Sequence, residues 1–188
     1  MKKLIIDIIK DELLKEDKMI NFGNPSNNFV VIAGGPGAGK SFITKNLINL
    51  NNVKEFNVDQ VRVITAKKLW GGDWEEMIST PEGYQKILDM TYTTSDPRNL
   101  TVKNLKSFLS QDRGQPVNVV YDAGGGQEQV MKDVHKIAKE SGMVTNLVYV
   151  RTPLELAQIR NDKRPRSLPN DMVAQYHQKV KDNMRNMI

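Results

Sequence analysis

Lys40 and Ser41 close a glycine-rich run, Gly34-Gly35-Pro36-Gly37-Ala38-Gly39-Lys40-Ser41. The spacing fits G-x-x-x-x-G-K-[ST], a backbone cradle for phosphate. Glycines let the chain wrap tightly and take positive φ, so that successive N–H groups point inward onto phosphate oxygens. A helix starting near Lys40 adds the positive end of its dipole. In such a loop Gly35, Gly37, Ala38, Gly39 and Phe42 line the nucleotide, Lys40 reaches the β- and γ-phosphates, and the Ser41 hydroxyl holds Mg²⁺. A plain glycine turn is the alternative, and the strand before and helix after argue against it. Gly35 to Gly39 does not give the G-x-G-x-x-G of a dinucleotide site.

Three further places carry charge where a transferred phosphate would need it. Asp59 and Arg62 follow a short apolar stretch and fall on neighbouring positions of one helical face. Asp122 follows the apolar run Val117-Asn118-Val119-Val120-Tyr121 and precedes Ala123-Gly124-Gly125-Gly126. A carboxylate there is a candidate for the outer shell of Mg²⁺ on the substrate side; the plainer reading is a helix cap after a glycine turn. Near the C-terminus, Arg160-Asn161-Asp162-Lys163-Arg164-Pro165-Arg166 forms a basic turn between two helices. Downstream of a phosphate loop it reads as a lid that stabilises a moving phosphoryl group and excludes water, rather than as a solvated turn. The two histidines, His135 and His177, have no ligand spacing and read as surface or satisfied core residues.

The elements needed to position these groups are legible in outline. Strands are expected near 29–33, 54–58, 117–121 and 144–150. Helices are expected at Phe42 to Leu50, through Val61, Ile64 and Leu69 with Asp59 as a possible cap, at Leu100 to Leu109, at Gln127 to Lys139 closed by Gly142, from Leu154, and from about Asn170 to the end. The start of the chain, with Leu4, Ile5, Ile8, Ile9 and Leu13, reads as an extra amphipathic helix over residues 3–19 that could bind a protein partner. Residues 21–28 form a connector. Residues 69–98 read as a helical insertion in which Trp70, Trp74 and Tyr84 are local core or pocket lining, and Ser95-Asp96-Pro97-Arg98 breaks it.

Composition narrows the classes. At 188 residues a single domain with a real core is expected. Without cysteine there are no disulfides and no thiolate chemistry. A mean hydropathy of −0.49 and charges early in the N-terminal apolar run exclude a membrane span and a signal peptide, so a cytoplasmic protein is expected. A net charge of +5 and a pI near 9.3 suit polyanionic partners, nucleotide or nucleic acid.

Beyond what these residues say alone, the chain resembles the P-loop kinase group that includes bacteriophage 5′-hydroxyl polynucleotide kinase and the zeta-toxin-like kinases. Three stretches carry the resemblance, in order: Gly34 to Ser41; Asn57-Val58-Asp59-Gln60-Val61-Arg62, similar to an Asn-x-Asp-x-x-Arg stretch; and Arg160-Asn161-Asp162-Lys163-Arg164 with Leu168-Pro169-Asn170-Asp171, similar to the lid. It runs from about residue 29 to the end, and no second catalytic domain is expected. The resemblance implies that Asp59 is the base for an acceptor hydroxyl. It implies that Arg62 binds an acceptor phosphate, and that Arg164 with Arg160 clamps the donor phosphates.

The expected fold is therefore a three-layer α/β P-loop domain spanning 1–188. It has a parallel sheet of at least four strands, helices on both faces, and a helical lid turning at 160–170. The expected activity is ATP- and Mg²⁺-dependent transfer of the γ-phosphate to a hydroxyl, foremost a polynucleotide 5′ end. Alternatives are a nucleotide-sugar or small-molecule kinase of zeta type, and an ATP-dependent binding module that transfers nothing.

Overall fold

The computed structural model describes residues 2–7, 19–65, 80, 97–111, 114–164 and 167–186. Five strands form one sheet: β1 (Lys2–Asp7), β2 (Asn28–Ala33), β3 (Val53–Asn57), β4 (Asn118–Gly124) and β5 (Val144–Arg151). Their order is β1-β5-β2-β4-β3 and every pairing is parallel. The helices are α1 (Lys40–Asn46), α2 (Val58–Thr65), α3 (Pro97–Leu109), α4 (Glu128–Glu140), α5 (Leu154–Asp162) and α6 (Asn170–Asn186).

Why β2 is a central strand follows from its sequence. Asn28–Ala33 is buried throughout, as a strand covered on both faces must be. Its alternation divides the core in two. Phe29, Val31 and Ala33 face one layer with Val119, Tyr121 and Leu147, packed under Leu105 of α3, Met131, Val134 and Ala138 of α4, and Val180 and Met184 of α6. Val30 and Ile32 face the other with Val120, Val148 and Val150, under Ile43 of α1 and Leu47. Each such fully buried apolar side chain contributes about 1.5–3 kcal/mol. The result is the three-layer arrangement expected from the sequence.

At the N-terminal rim, buried Asn28, Asn118 and Asn146 satisfy one another and the entering loops. Asn118 Oδ1 accepts from the Asn28 backbone N–H at 2.9 Å, and Asn118 Nδ2 donates to the Asn51 carbonyl at 2.7 Å. That keeps polar burial free of unpaired groups at this end and leaves the opposite rim for chemistry.

Four expectations are corrected. The helix expected over residues 3–19 is a strand at its start: Lys2–Asp7 is β1, in register with β5 from Lys2↔Asn146 to Asp7↔Arg151. The remainder of that stretch up to residue 18 lies outside the described residues, and so does the partner-binding role expected of it. Secondly, α1 is shorter than Phe42 to Leu50; it ends at Asn46, where the chain turns into an isolated bridge between Ile48 and Ile20. Thirdly, Asp59 does not cap α2. Asn57 does: its Oδ1 accepts from the N–H groups of Asp59 (2.8 Å) and Gln60 (3.4 Å). Pro97 opens α3 rather than only ending what precedes it, as its fixed φ and missing N–H allow. Apart from Thr80 and the two residues that begin α3, the expected insertion over 69–98 lies outside the described residues.

Candidate functional site

The C-terminal rim of the sheet gathers most of the residues singled out above. Ile32 of β2 and Asn57 of β3 both lie in register with Asp122 of β4. The glycine loop therefore leaves β2 beside Asp122, and Asp59, the second residue of α2, lies just beyond the same line. Two strand spacings, about 10 Å, separate β2 from β3. Asp59 is half-buried. Arg62 lies in α2 three positions further along.

The loop has the backbone its glycines permit. Gly37 and Gly39 take φ of 73° and 95°, and Gly39 is the residue from which α1 starts. Ala38 N–H closes back on the Gly35 carbonyl at 3.2 Å, and Phe42 N–H and Ile43 N–H bond to the Gly39 carbonyl at 3.0 and 3.1 Å. Among the described residues, no backbone carbonyl accepts from Gly37, Gly39, Lys40 or Ser41. These are the donors a phosphate group would satisfy.

Lys40 lies back along the loop. Its Nζ donates to the Gly34 carbonyl at 3.0 Å and stands 4.0 Å from Asp122 Oδ1. Asp122 Oδ1 also accepts from Gly124 N–H at 3.2 Å, which fixes the carboxylate at the end of β4. Ser41 and Phe42 are exposed on the first turn of α1. For Mg²⁺ the available donors are the Ser41 hydroxyl and the Asp122 carboxylate, hard oxygens few in number, which suits an ion that keeps several waters. Among the described residues, no group of three or more His, Cys, Asp or Glu side chains forms a dedicated metal site.

The hairpin expected to act as a lid is built from α5 and α6. Asn161, buried at the end of α5, closes the turn. Its Nδ2 donates to the Leu168 carbonyl at 2.7 Å and its Oδ1 accepts from Leu168 N–H at 3.0 Å. Arg160 is half-buried on α5, and Lys163 and Arg164 are exposed beyond it. The base of the hairpin meets the loop directly. A Cβ on Gly37 would run into the Ala157 carbonyl of α5, and one on Gly35 would overlap the imidazole of His177 on α6. The arginines lie farther out, at the end of α5 and in the turn.

His177 is the residue that sequence reasoning missed. Read as surface or satisfied core, it lies against the phosphate loop, its Nε2 hydrogen-bonded to the Pro36 carbonyl at 2.8 Å. Since a carbonyl only accepts, Nε2 carries the proton. Burial is the main cause of its lowered pKa; the Pro36 bond opposes it and the nearby Lys40 charge adds to it. The signal was available: Val173, Val180 and Met184 are the buried stripe of α6, and His177 falls on the same stripe. Thr152 was missed as well. Its hydroxyl donates to the Ala38 carbonyl at 2.8 Å. Asn183 of α6 donates to the Gly125 carbonyl at 3.0 Å, tying the same helix to the loop after β4.

Similarity to known proteins bears on the family and the fold. A family model described as an AAA domain matches residues 29–186. No curated protein sequence is significantly similar to the chain. Among solved structures, a chain of the Pnkp1/Rnl/Hen1 RNA repair complex is similar at 18% identity and a TM-score of 0.55, covering 88% of this chain and 48% of that one. The present chain thus spans about half the length of that relative. A tunicamycin resistance protein from Deinococcus radiodurans is similar at 14% identity and a TM-score of 0.49, covering 82% and 80% of the two chains. A gluconokinase from Sinorhizobium meliloti 1021 is similar at 12% identity and a TM-score of 0.41, covering 83% and 76%.

Proposed function

Since the chain belongs to the AAA-domain family and has the P-loop kinase-like fold, we propose that it is an ATP- and Mg²⁺-dependent kinase. In this reading it transfers the γ-phosphoryl group to a hydroxyl, and the hydroxyl is the 5′ end of a polynucleotide. The observation that supports this most is a single rim carrying three things: a glycine loop whose amide donors have no backbone acceptor, Asp122 beside Lys40, and the start of α2 with Asp59. The acceptor class is supported by the Asn57-to-Arg62 stretch, by the basic balance of +5, and by the fold shared with a chain of an RNA repair complex. No helix among the described residues is long and apolar enough to cross a membrane, consistent with a cytoplasmic setting in this reading.

The steps follow from the residues. The loop amides and Lys40 hold the β- and γ-phosphates. Ser41 and Asp122 would hold Mg²⁺, which when bound neutralises phosphate charge. Asp59 takes the proton of the acceptor hydroxyl as its oxygen attacks the γ-phosphorus; the bond to the β–γ bridging oxygen breaks and ADP leaves. Arg62 binds the acceptor's own phosphate. Arg164, with Arg160, closes over the moving phosphoryl group, where a fixed cation is worth several kcal/mol of barrier.

The test is transfer of labelled γ-phosphate to a 5′-hydroxyl oligonucleotide, with nucleosides and nucleotide sugars as competing acceptors. Asp59→Asn is expected to keep MgATP affinity while transfer falls about a hundredfold or more. Full transfer by that variant refutes the base. Label on a nucleotide sugar but not on the oligonucleotide points to the zeta-type reading. Tight ATP binding with no labelled product on any acceptor points to a binding module.

A further inference from the structure

A phosphate cradle works only if its N–H groups face inward, and each N–H is rigidly opposed to the carbonyl of the preceding residue across a planar trans peptide. Turning the Pro36 carbonyl outward therefore turns Gly37 N–H inward. Turning the Ala38 carbonyl outward does the same for Gly39 N–H. Neither peptide is cis. In this chain both carbonyls are held from outside the loop by side chains of the C-terminal third: His177 Nε2 on Pro36 at 2.8 Å and Thr152 Oγ1 on Ala38 at 2.8 Å.

We propose that His177 is a positioning residue of the phosphate cradle: by holding the Pro36 carbonyl outward it aims Gly37 N–H at the phosphate. The same bond anchors the second lid helix to the loop. The proposal rests on the nucleotide reading of the loop given above. Three observations carry it. The imidazole is seated on Gly35, where any Cβ would overlap the ring, so the loop is shaped around this side chain. His177 stands on the face of α6 that carries buried Val173 and Val180 and is itself half-buried, so its ring is turned toward the body of the protein. On the other side of Gly37, the carbonyl of Ala157 in α5 packs against the Cα, so both helices of the lid bear on the same peptide. A shift of the hairpin is then felt by the amide that binds phosphate. Lid position and cradle geometry become one coupled variable.

The experiment compares the full chain with His177→Gln, His177→Asn and His177→Ala by calorimetric titration with MgATP. Glutamine carries an N–H at about the reach of Nε2, whereas asparagine ends one atom short. Alanine and asparagine are expected to weaken MgATP binding by about five- to tenfold, the effect of one lost neutral hydrogen bond. Glutamine should stay within about twofold of the parent, with thermal midpoints of the glutamine and asparagine variants alike. Parent-like affinity in the alanine and asparagine variants, or glutamine no better than asparagine, overturns the assignment. If alanine does not fold, the glutamine–asparagine pair decides alone. If the parent chain binds no MgATP, the nucleotide reading fails separately. The positioning role is then read from the amide proton and nitrogen shifts of Gly37 by NMR: a displacement in asparagine but not in glutamine supports it, and equal shifts in both overturn it.

Discussion

Gly37 and Gly142 share a φ of 73° but differ in what surrounds them. A Cβ at Gly142 meets nothing within 4 Å, whereas at Gly37 it meets the Ala157 carbonyl oxygen, with the carbonyl carbon 2.9 Å and the Cα 3.1 Å away. Gly142→Ala thus measures the cost of a left-handed alanine alone, about 1–2 kcal/mol. Gly37→Ala carries the same cost and also forces α5 off the loop, because the atoms it strikes are backbone. An overpacked contact of this kind adds about 1–3 kcal/mol. Denaturant titration followed by circular dichroism should place Gly37→Ala at least about 1 kcal/mol below Gly142→Ala. For a chain of 188 residues that is roughly 2–4 °C further in thermal midpoint. MgATP affinity should fall in Gly37→Ala only, since Gly142 closes α4 away from the phosphate rim. Equal stabilities for the two variants would refute the claim that the lid's first helix sits directly on the loop.

Asn161→Ala removes both hydrogen bonds that close the lid turn and leaves Leu168 N–H and C=O without their side-chain partner. A loss of about 2 kcal/mol is expected, with trypsin cleaving after Lys163 several times faster than in the parent, the bond after Arg164 being protected by Pro165; unchanged proteolysis would deny Asn161 this role. The pH dependence of stability has a definite sign. His177 and His135 both have pKa values lowered by burial from about 6.5, the former also opposed by its Pro36 bond and pushed by Lys40, the latter also pushed by Lys139. The unfolded chain then binds more protons than the native one below that value. Stability is fully present above about pH 6.5 and declines as pH falls through the native values. Denaturant midpoints at pH 8 and 5.5 should show this, with a smaller drop in His177→Gln; a midpoint that rises on acidification would contradict the assignment.

Much of the site could be read before any fold was known because its signals are local. The glycine spacing before Lys40, the apolar run ending at Asp122, and Gly142 after α4 each encode their own backbone. What stayed hidden depends on distant pairing. Leu4, Ile5, Ile8 and Ile9 satisfy a helical period, but Leu4-Ile5-Ile6 is also a plausible strand. Only β5, whose Val148 lies in register with Leu4, decides between them. By residue type Asp59 is a possible cap for α2, because aspartate caps well, yet Asn57 sits where the strand ends and its side chain reaches both N–H groups. His177 was passed over because a lone histidine on a helix has no motif. Its meaning comes from the loop packed against it, which lies 141 positions away in sequence.

The pairing of β1 with β5 also bears on how the protein should be handled. Residues 2–7 pair along the one side of β5 on which no other described strand lies. Trimming those residues, or straining them with a short affinity tag, would uncover a row of backbone donors and acceptors on an apolar strand. Such a bare margin recruits strands from neighbouring molecules. Shortened versions should therefore form dimers or precipitate on concentration, and purification handles belong at the other end of the chain.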